Sequence, residues 1–105
     1  MAIQTVHSDE MFQGAVASTG VTLVDFGAAW CAPCKTLLPI LDQLDREQPW
    51  LTIVKVDVDY APSSAALFGV MSMPTVVVFK DGQAVDKLVG LRSKEAYLNI
   101  AAKYA

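Results

Sequence analysis

Two apolar runs with an amphipathic stretch between them constrain this chain more than any other feature. Thr22-Leu23-Val24-Asp25-Phe26 and Leu51-Thr52-Ile53-Val54-Lys55-Val56-Asp57-Val58 each read as a strand. From about Cys34 to Gln48, Leu37, Ile40, Leu41 and Leu44 recur at helical spacing, leaving Asp42, Gln43, Asp45 and Arg46 to face water. Strand, helix and strand in that order make a βαβ unit, whose crossover is right-handed in nearly all proteins. Pro39 falls inside the helix, where it removes a backbone donor and is expected to bend the axis.

The remaining segments extend that unit on both sides. Ala2-Ile3-Gln4-Thr5-Val6 reads as a short first strand. Ser8 suits a helix cap, Asp9 and Glu10 suit the positive end of that helix, and Gly20 marks its stop. Phe12, Ala15 and Val16 supply its apolar face. After a turn at Asp59-Tyr60-Ala61-Pro62 comes a short helix with Ala65, Leu67 and Phe68, closed by Gly69. Thr75-Val76-Val77-Val78-Phe79 is a fourth strand, and Asp81-Gly82 is a two-residue hairpin signal, so a fifth strand over about 83–89 runs antiparallel to it. Ser93 caps a last helix carrying Tyr97, Ile100, Ala101 and Tyr104. Trp50, Phe68 and Phe79 are expected in the core. The pattern is α/β: a central mixed five-stranded sheet flanked by four helices, in a single domain over residues 1–105. Parallel strands covered on both faces account for a composition that is 53% hydrophobic and only 18% charged.

A formal net charge of −3 argues against nucleic acid or an acidic membrane surface as a partner. No run approaches the roughly 18 apolar residues of a membrane span. Residues 1–14 show neither a basic start nor an apolar core of a signal peptide, so the expected location is the cytoplasm. A disulfide there is usually transient and catalytic.

Both cysteines of the chain lie in Trp30-Cys31-Ala32-Pro33-Cys34-Lys35, at the junction of strand and helix. Three-residue spacing on a helical turn lets the two sulfurs bond with little backbone movement. Cys31 stands where the helix begins, beside unpaired backbone donors that favour a thiolate, and Pro33 suits the first turn. Cys31 is therefore expected to be the exposed attacking thiol and Cys34 the shielded one that resolves the mixed disulfide. A purely structural crosslink is a weak alternative, because so small a loop removes little entropy from the unfolded chain. Zinc usually needs four ligands, and two cysteines with a distant His7 fall short unless two chains share the site. Covalent haem needs His after the second cysteine, where Lys35 stands. No metal ligand set is expected.

Other polar residues divide less clearly. Asp25 is the one charge in its strand, and spacing alone leaves it equally a solvated strand-end carboxylate or a buried proton acceptor. Asp57 and Asp59 fit a turn better than an acid–base pair, and His7 beside Ser8 and Asp9 fits a helix cap better than a hydrolase triad. The six glycines are scattered, so no phosphate-cradling loop is present.

Val24-Asp25-Phe26, Trp30-Cys31-x-Pro33-Cys34-Lys35, Pro39, Met73-Pro74-Thr75, Lys80-Asp81-Gly82 and Gly90 together resemble the thioredoxin family in order and spacing, over nearly the whole chain. The resemblance implies a thioredoxin fold and a general protein-disulfide reductase that binds no cofactor beyond its own Cys31–Cys34 disulfide. It also implies disulfide-bearing protein substrates, recharging by an NADPH-dependent thioredoxin reductase, a role in electron transport and cell redox homeostasis, and a monomer. Asp25 becomes the base that takes the Cys34 proton, and Lys55 the partner that modulates it. The Met73-Pro74 bond is implied to be cis and to face the dithiol, with Trp30, Pro33, Met73, Pro74, Thr75 and Gly90 around the substrate. Two residues depart from the family pattern. Ala32 stands where Gly is usual and, with Pro33, bears on the redox potential. Gly27 replaces a usual aromatic residue and bears on packing near the site or on partner contacts. A rival reading is a thioredoxin-fold adaptor whose dithiol switches a protein contact without turnover. A disulfide-forming oxidant fits less well, since the His common between the cysteines of such proteins is missing.

Overall fold

In the computed structural model, which describes residues 3–105, the elements follow in the order β1 (Gln4–Val6), α1 (Asp9–Val16), β2 (Val21–Gly27), α2 (Ala32–Glu47), β3 (Leu51–Asp57), α3 (Pro62–Leu67), β4 (Thr75–Lys80), β5 (Gln83–Val89) and α4 (Lys94–Ala102). They form a five-stranded sheet in the order β1-β3-β2-β4-β5. β1, β3 and β2 run parallel, while β4 is antiparallel to β2 and β5 to β4. The expected mixed sheet with four helices is what forms. Of the expected first strand, Ala2 lies outside the described residues and pairing begins at Gln4.

Alternation along β2 decides which side each residue serves. Val21 and Leu23 pack with Leu37, Leu41 and Leu44 of α2 and with Tyr97 and Ala101 of α4. Val24 and Phe26 pack on the opposite face with Phe12, Ala15 and Val16 of α1 and Ala65 of α3. Both faces are covered, which explains why the central strands read as continuous apolar runs. Each fully buried leucine of the α2 stripe stabilises the fold by about 2 kcal/mol through burial alone. By the same alternation Asp25 points toward α2, in line with Val21 and Leu23.

Local chemistry shifts several boundaries. α1 stops at Val16, short of Gly20, because the chain needs the intervening residues to turn into β2. Gly20, with φ +81°, donates its N–H to Asp81 Oδ1 at 2.7 Å, tying that turn to the Asp81-Gly82 hairpin. α2 begins at Ala32, two residues before the expected start, because Cys31 itself caps it. Pro39 lies on its exposed face within one continuous helix.

Two expectations about apolar residues need correction. Trp50 is exposed, not core: it precedes β3 by one residue, and its Nε1 donates to Gln48 Oε1 at 3.0 Å. Leu67, at the end of α3, is also exposed. Phe79 is buried, and the half-buried Phe68 packs against it with ring centroids 5.3 Å apart.

α3 shows how the first helix supports the third. Its N-cap, Ala61, has no side chain that can accept a hydrogen bond. Asp9 takes over from α1, its carboxylate accepting the backbone N–H groups of Ser63 and Ser64 at 3.3 and 2.8 Å and the Ser64 hydroxyl at 2.7 Å. These bonds, the Ser64 hydroxyl foremost, hold the Asp9 carboxyl below its ordinary pKa.

Candidate active site

Cys31 and Cys34 are joined by a disulfide, with Cα atoms 5.3 Å apart. The pair forms because Cys31 is the N-cap of α2 and Cys34 lies one turn in, where the helix brings the third residue back to the cap. Cys31 Sγ accepts the Cys34 N–H at 3.3 Å, so the sulfur satisfies one of the free donors at the helix start. A thiolate there gains both that bond and the positive helix end. Exposure does not separate the two cysteines as expected: Cys31 is 7% and Cys34 5% exposed. What separates them is what each faces. Cys31 Sγ lies 3.8 Å from the Met73 carbonyl oxygen. Cys34 lines a cleft whose lining includes neither Cys31 nor Met73.

That cleft, about 280 Å³, is bordered by Asp25, Gly27, Cys34, Leu38 and Lys55 among others. Asp25 is 2% exposed, and its Oδ1 has no hydrogen-bond partner within the protein. Burial pushes its pKa from 3.8 to about 7, against an opposing pull from the Lys55 ammonium. Lys55 is its register partner on β3 and follows the same face of the sheet. A carboxyl poised near neutrality can exchange a proton with a neighbouring thiol. The thiol is at hand: a Cβ placed on Gly27 would stand 3.1 Å from Cys34 Sγ and 3.8 Å from Asp25 Oδ1. Sulfur and carboxylate therefore border the same cleft, where bare backbone at Gly27 lets the strand pass close to the sulfur.

The opposite side of the dithiol is built from loops. The Met73-Pro74 bond is cis. Met73, half-buried, packs with Ala28, Cys31 and Cys34. Gly90 donates its N–H to the Pro74 carbonyl at 2.8 Å and accepts the Tyr97 hydroxyl at 3.2 Å, so α4 fixes the loop beside the cis bond. Its φ of +87° is one that residues with a side chain rarely adopt. Trp30 is 67% exposed, and Ala32 and Pro33 are exposed beside it in sequence. Thr75 corrects an expectation: it is buried at the start of β4, and its hydroxyl donates to the Ser72 carbonyl at 2.6 Å. It has no surface for a substrate and acts by holding the loop.

In the sequence Asp59 reads only as a turn residue. Its N–H does close a turn onto Asp57 Oδ1 at 2.9 Å, but its carboxylate also accepts the Trp30 indole N–H at 3.0 Å. Tyr97 read as a core residue, and its bonds to Gly90 and to the Arg92 N–H at 3.0 Å carried no local signal. His7 takes no part; its ring meets Tyr60 edge-on at 6.4 Å. Among the described residues, no group of three or more His, Cys, Asp or Glu is placed to hold a metal ion, and no helix is long and apolar enough to cross a membrane.

A sequence model of the family described as Thioredoxin matches residues 3–103. A thioredoxin from Staphylococcus aureus is 49% identical over 105 residues, covering 99% of this chain and 99% of its own length. A thioredoxin from Chlamydia muridarum is 45% identical over 102 residues, covering 97% and 98%. Among solved structures, a thioredoxin from Plasmodium falciparum superposes with a TM-score of 0.88 at 32% identity, covering 98% of this chain and 100% of that one. Mitochondrial thioredoxin 3 from Saccharomyces cerevisiae, in its oxidised form, gives 0.87 at 33% identity, covering 96% and 94%.

Proposed function

Because the chain belongs to the thioredoxin family, we propose a specific division of labour among the residues around its dithiol. The protein is a protein-disulfide oxidoreductase that works by thiol–disulfide exchange through Cys31 and Cys34, and the exchange uses no atoms beyond those sulfurs and a proton acceptor. In the dithiol state the Cys31 thiolate attacks one sulfur of a substrate disulfide. A mixed disulfide forms and the other substrate sulfur leaves as a thiolate. Cys34 then passes its proton to Asp25 and attacks Cys31, closing the internal disulfide and releasing the second substrate thiol. Lys55 tempers Asp25, and the Ala32-Pro33 pair sets how readily the disulfide closes.

The observation that carries this order is the split between the two sulfurs. Cys31 caps α2 and faces the Met73 carbonyl, while Cys34 shares a buried gap with a carboxyl whose pKa is about 7. An extended substrate strand pairs with the Met73 backbone beside the cis bond, flanked by Trp30, Pro33 and Gly90, while Pro74, buried like Thr75, contributes the shape of the loop. Partners of the family in general are disulfide-bearing proteins and a thioredoxin reductase. For this chain the reading takes an NADPH-dependent flavoprotein as the source of electrons, a cytoplasmic location, a role in electron transport and redox homeostasis, and a monomer with residues 1–105 as one domain.

Insulin reduction with NADPH and a thioredoxin reductase tests the reading. Catalytic turnover that disappears in Cys31→Ser is expected. Redox-dependent complex formation without turnover would instead make the chain an adaptor, the reading the family relationship disfavours.

A further inference from the structure

The cleft behind the dithiol does not include Met73 in its lining, and at Gly27 its wall is bare backbone. At position 27, next to Cys34 Sγ, there is no Cβ, and any added there would stand only 3.1 Å from that sulfur. Leu38 and Ala29 wall the opening with apolar surface, and the buried, unpartnered Asp25 Oδ1 borders the same space. About 280 Å³ is room for a short linear molecule and far too little for a folded protein. Cys31 does not line it.

We propose that this cleft is a second entrance to the dithiol, through which small uncharged disulfides reach Cys34 directly, with Gly27 as the residue that determines access. The proposal rests on the exchange chemistry of the proposed function but reverses the order of the cysteines for this substrate class. The Cys34 thiol gives its proton to Asp25 and attacks one sulfur of R–S–S–R. A Cys34–S–S–R bond forms, the R–S–S–R bond breaks, and R–S⁻ leaves and takes up a proton. The Cys31 thiolate then attacks Cys34 Sγ, closes the internal disulfide and expels the second R–S⁻. Two electrons pass from the dithiol to the small disulfide, which becomes two thiols.

The test uses Cys31→Ser, in which Cys34 is the sole thiol, with bis(2-hydroxyethyl) disulfide as the probe and adduct formation followed by intact mass. Adduct is expected to form at a rate that falls about tenfold or more when Gly27→Trp is added. Leu38→Trp, which narrows the cleft from another wall, is expected to act in the same direction and serves if Gly27→Trp does not fold. Oxidised glutathione, bulkier and charged, is expected to react more slowly than the small probe. No adduct, rates indifferent to both substitutions, or equal rates for the two probes would overturn the proposal, the last because a sulfur reached by opening of the fold does not discriminate size. Insulin reduction by the unsubstituted protein, run in parallel, reports on the exchange chemistry separately.

Discussion

The indole N–H of Trp30 donates to the Asp59 carboxylate at 3.0 Å, joining the loop before α2 to the turn after β3. Asp59 is itself held by its N–H bond to Asp57 Oδ1. A largely exposed tryptophan next to Cys31 is thus held by a hydrogen bond, and in the docking role proposed for Trp30 this lowers the ordering cost.

Asp59→Ala is expected to raise KM for insulin by about threefold to tenfold, the worth of one hydrogen bond, with kcat nearly unchanged. Steady-state kinetics decide it. A fall in kcat at constant KM would remove Asp59 from docking.

The order of the cysteines predicts unequal trapping of protein disulfides. Cys34→Ser is expected to accumulate mixed disulfides with protein substrates, and Cys31→Ser to accumulate none, since a folded substrate cannot enter the rear cleft. Non-reducing gels with thiol-blocked samples measure this, and equal trapping by both variants contradicts the assignment.

Asp25 makes a paired prediction about rate and stability. Asp25→Asn is expected to slow resolution of a mixed disulfide by about tenfold or more near neutral pH, read by quenched-flow decay. In stability, the raised pKa carries a definite sign. Between 3.8 and about 7 the unfolded chain has released the proton while the folded one keeps it, so wild-type stability falls as pH rises through that window. Above it the deficit levels off, on the order of 4 kcal/mol relative to a form that keeps the proton. Urea unfolding of wild type and Asp25→Asn from pH 4 to 8 should show a gap that grows with pH in favour of the variant. A constant gap would mean that Asp25 is not buried as a neutral acid.

Asp9 titrates in the opposite sense. Its carboxyl is held below the ordinary value by Ser64 and Ser63, so its support of α3 is complete above pH 3.8 and is lost as pH falls through the depressed value. Asp9→Ala is expected to lower Tm by several degrees at pH 7, a difference that shrinks in acid. Calorimetry across that range checks it, and a Tm unchanged at pH 7 would show that α3 caps itself.

The βαβ unit and the dithiol were legible in the sequence because each is local. Leu37, Leu41 and Leu44 repeat at helical spacing, and two cysteines three apart need no tertiary knowledge to be seen as a pair. Cys31 as the cap of α2 was half legible, since the helix was expected from about Cys34 and the sulfur's role as acceptor depends on backbone geometry. Trp50 misled because hydrophobicity does not say on which side of a turn a ring will fall. Asp59 with Trp30, and Asp9 with Ser64, join residues 29 and 55 positions apart, and no periodicity encodes such meetings. Gly27 showed only as a departure from the family pattern. An absent side chain leaves a space whose size and neighbours exist only once the strands are packed.

One edge of the sheet bears on how such a protein survives its own chemistry. β5 is the outermost strand on its side, yet its register with β4 shifts at Val78 and Phe79, and Asp86 and Lys87 place charges along it. Tyr104, two residues past the end of α4, donates to Asp86 Oδ2 at 2.9 Å, with the Val85 carbonyl 3.4 Å from its hydroxyl. An exposed edge strand is a template for any extended chain that meets it, and a protein whose work is disulfide exchange meets other chains continually. An irregular, charged margin, tied down by Tyr104, offers them a poor template. Sticking along this edge of the sheet is discouraged, which leaves the end of the molecule that carries its dithiol free for contact.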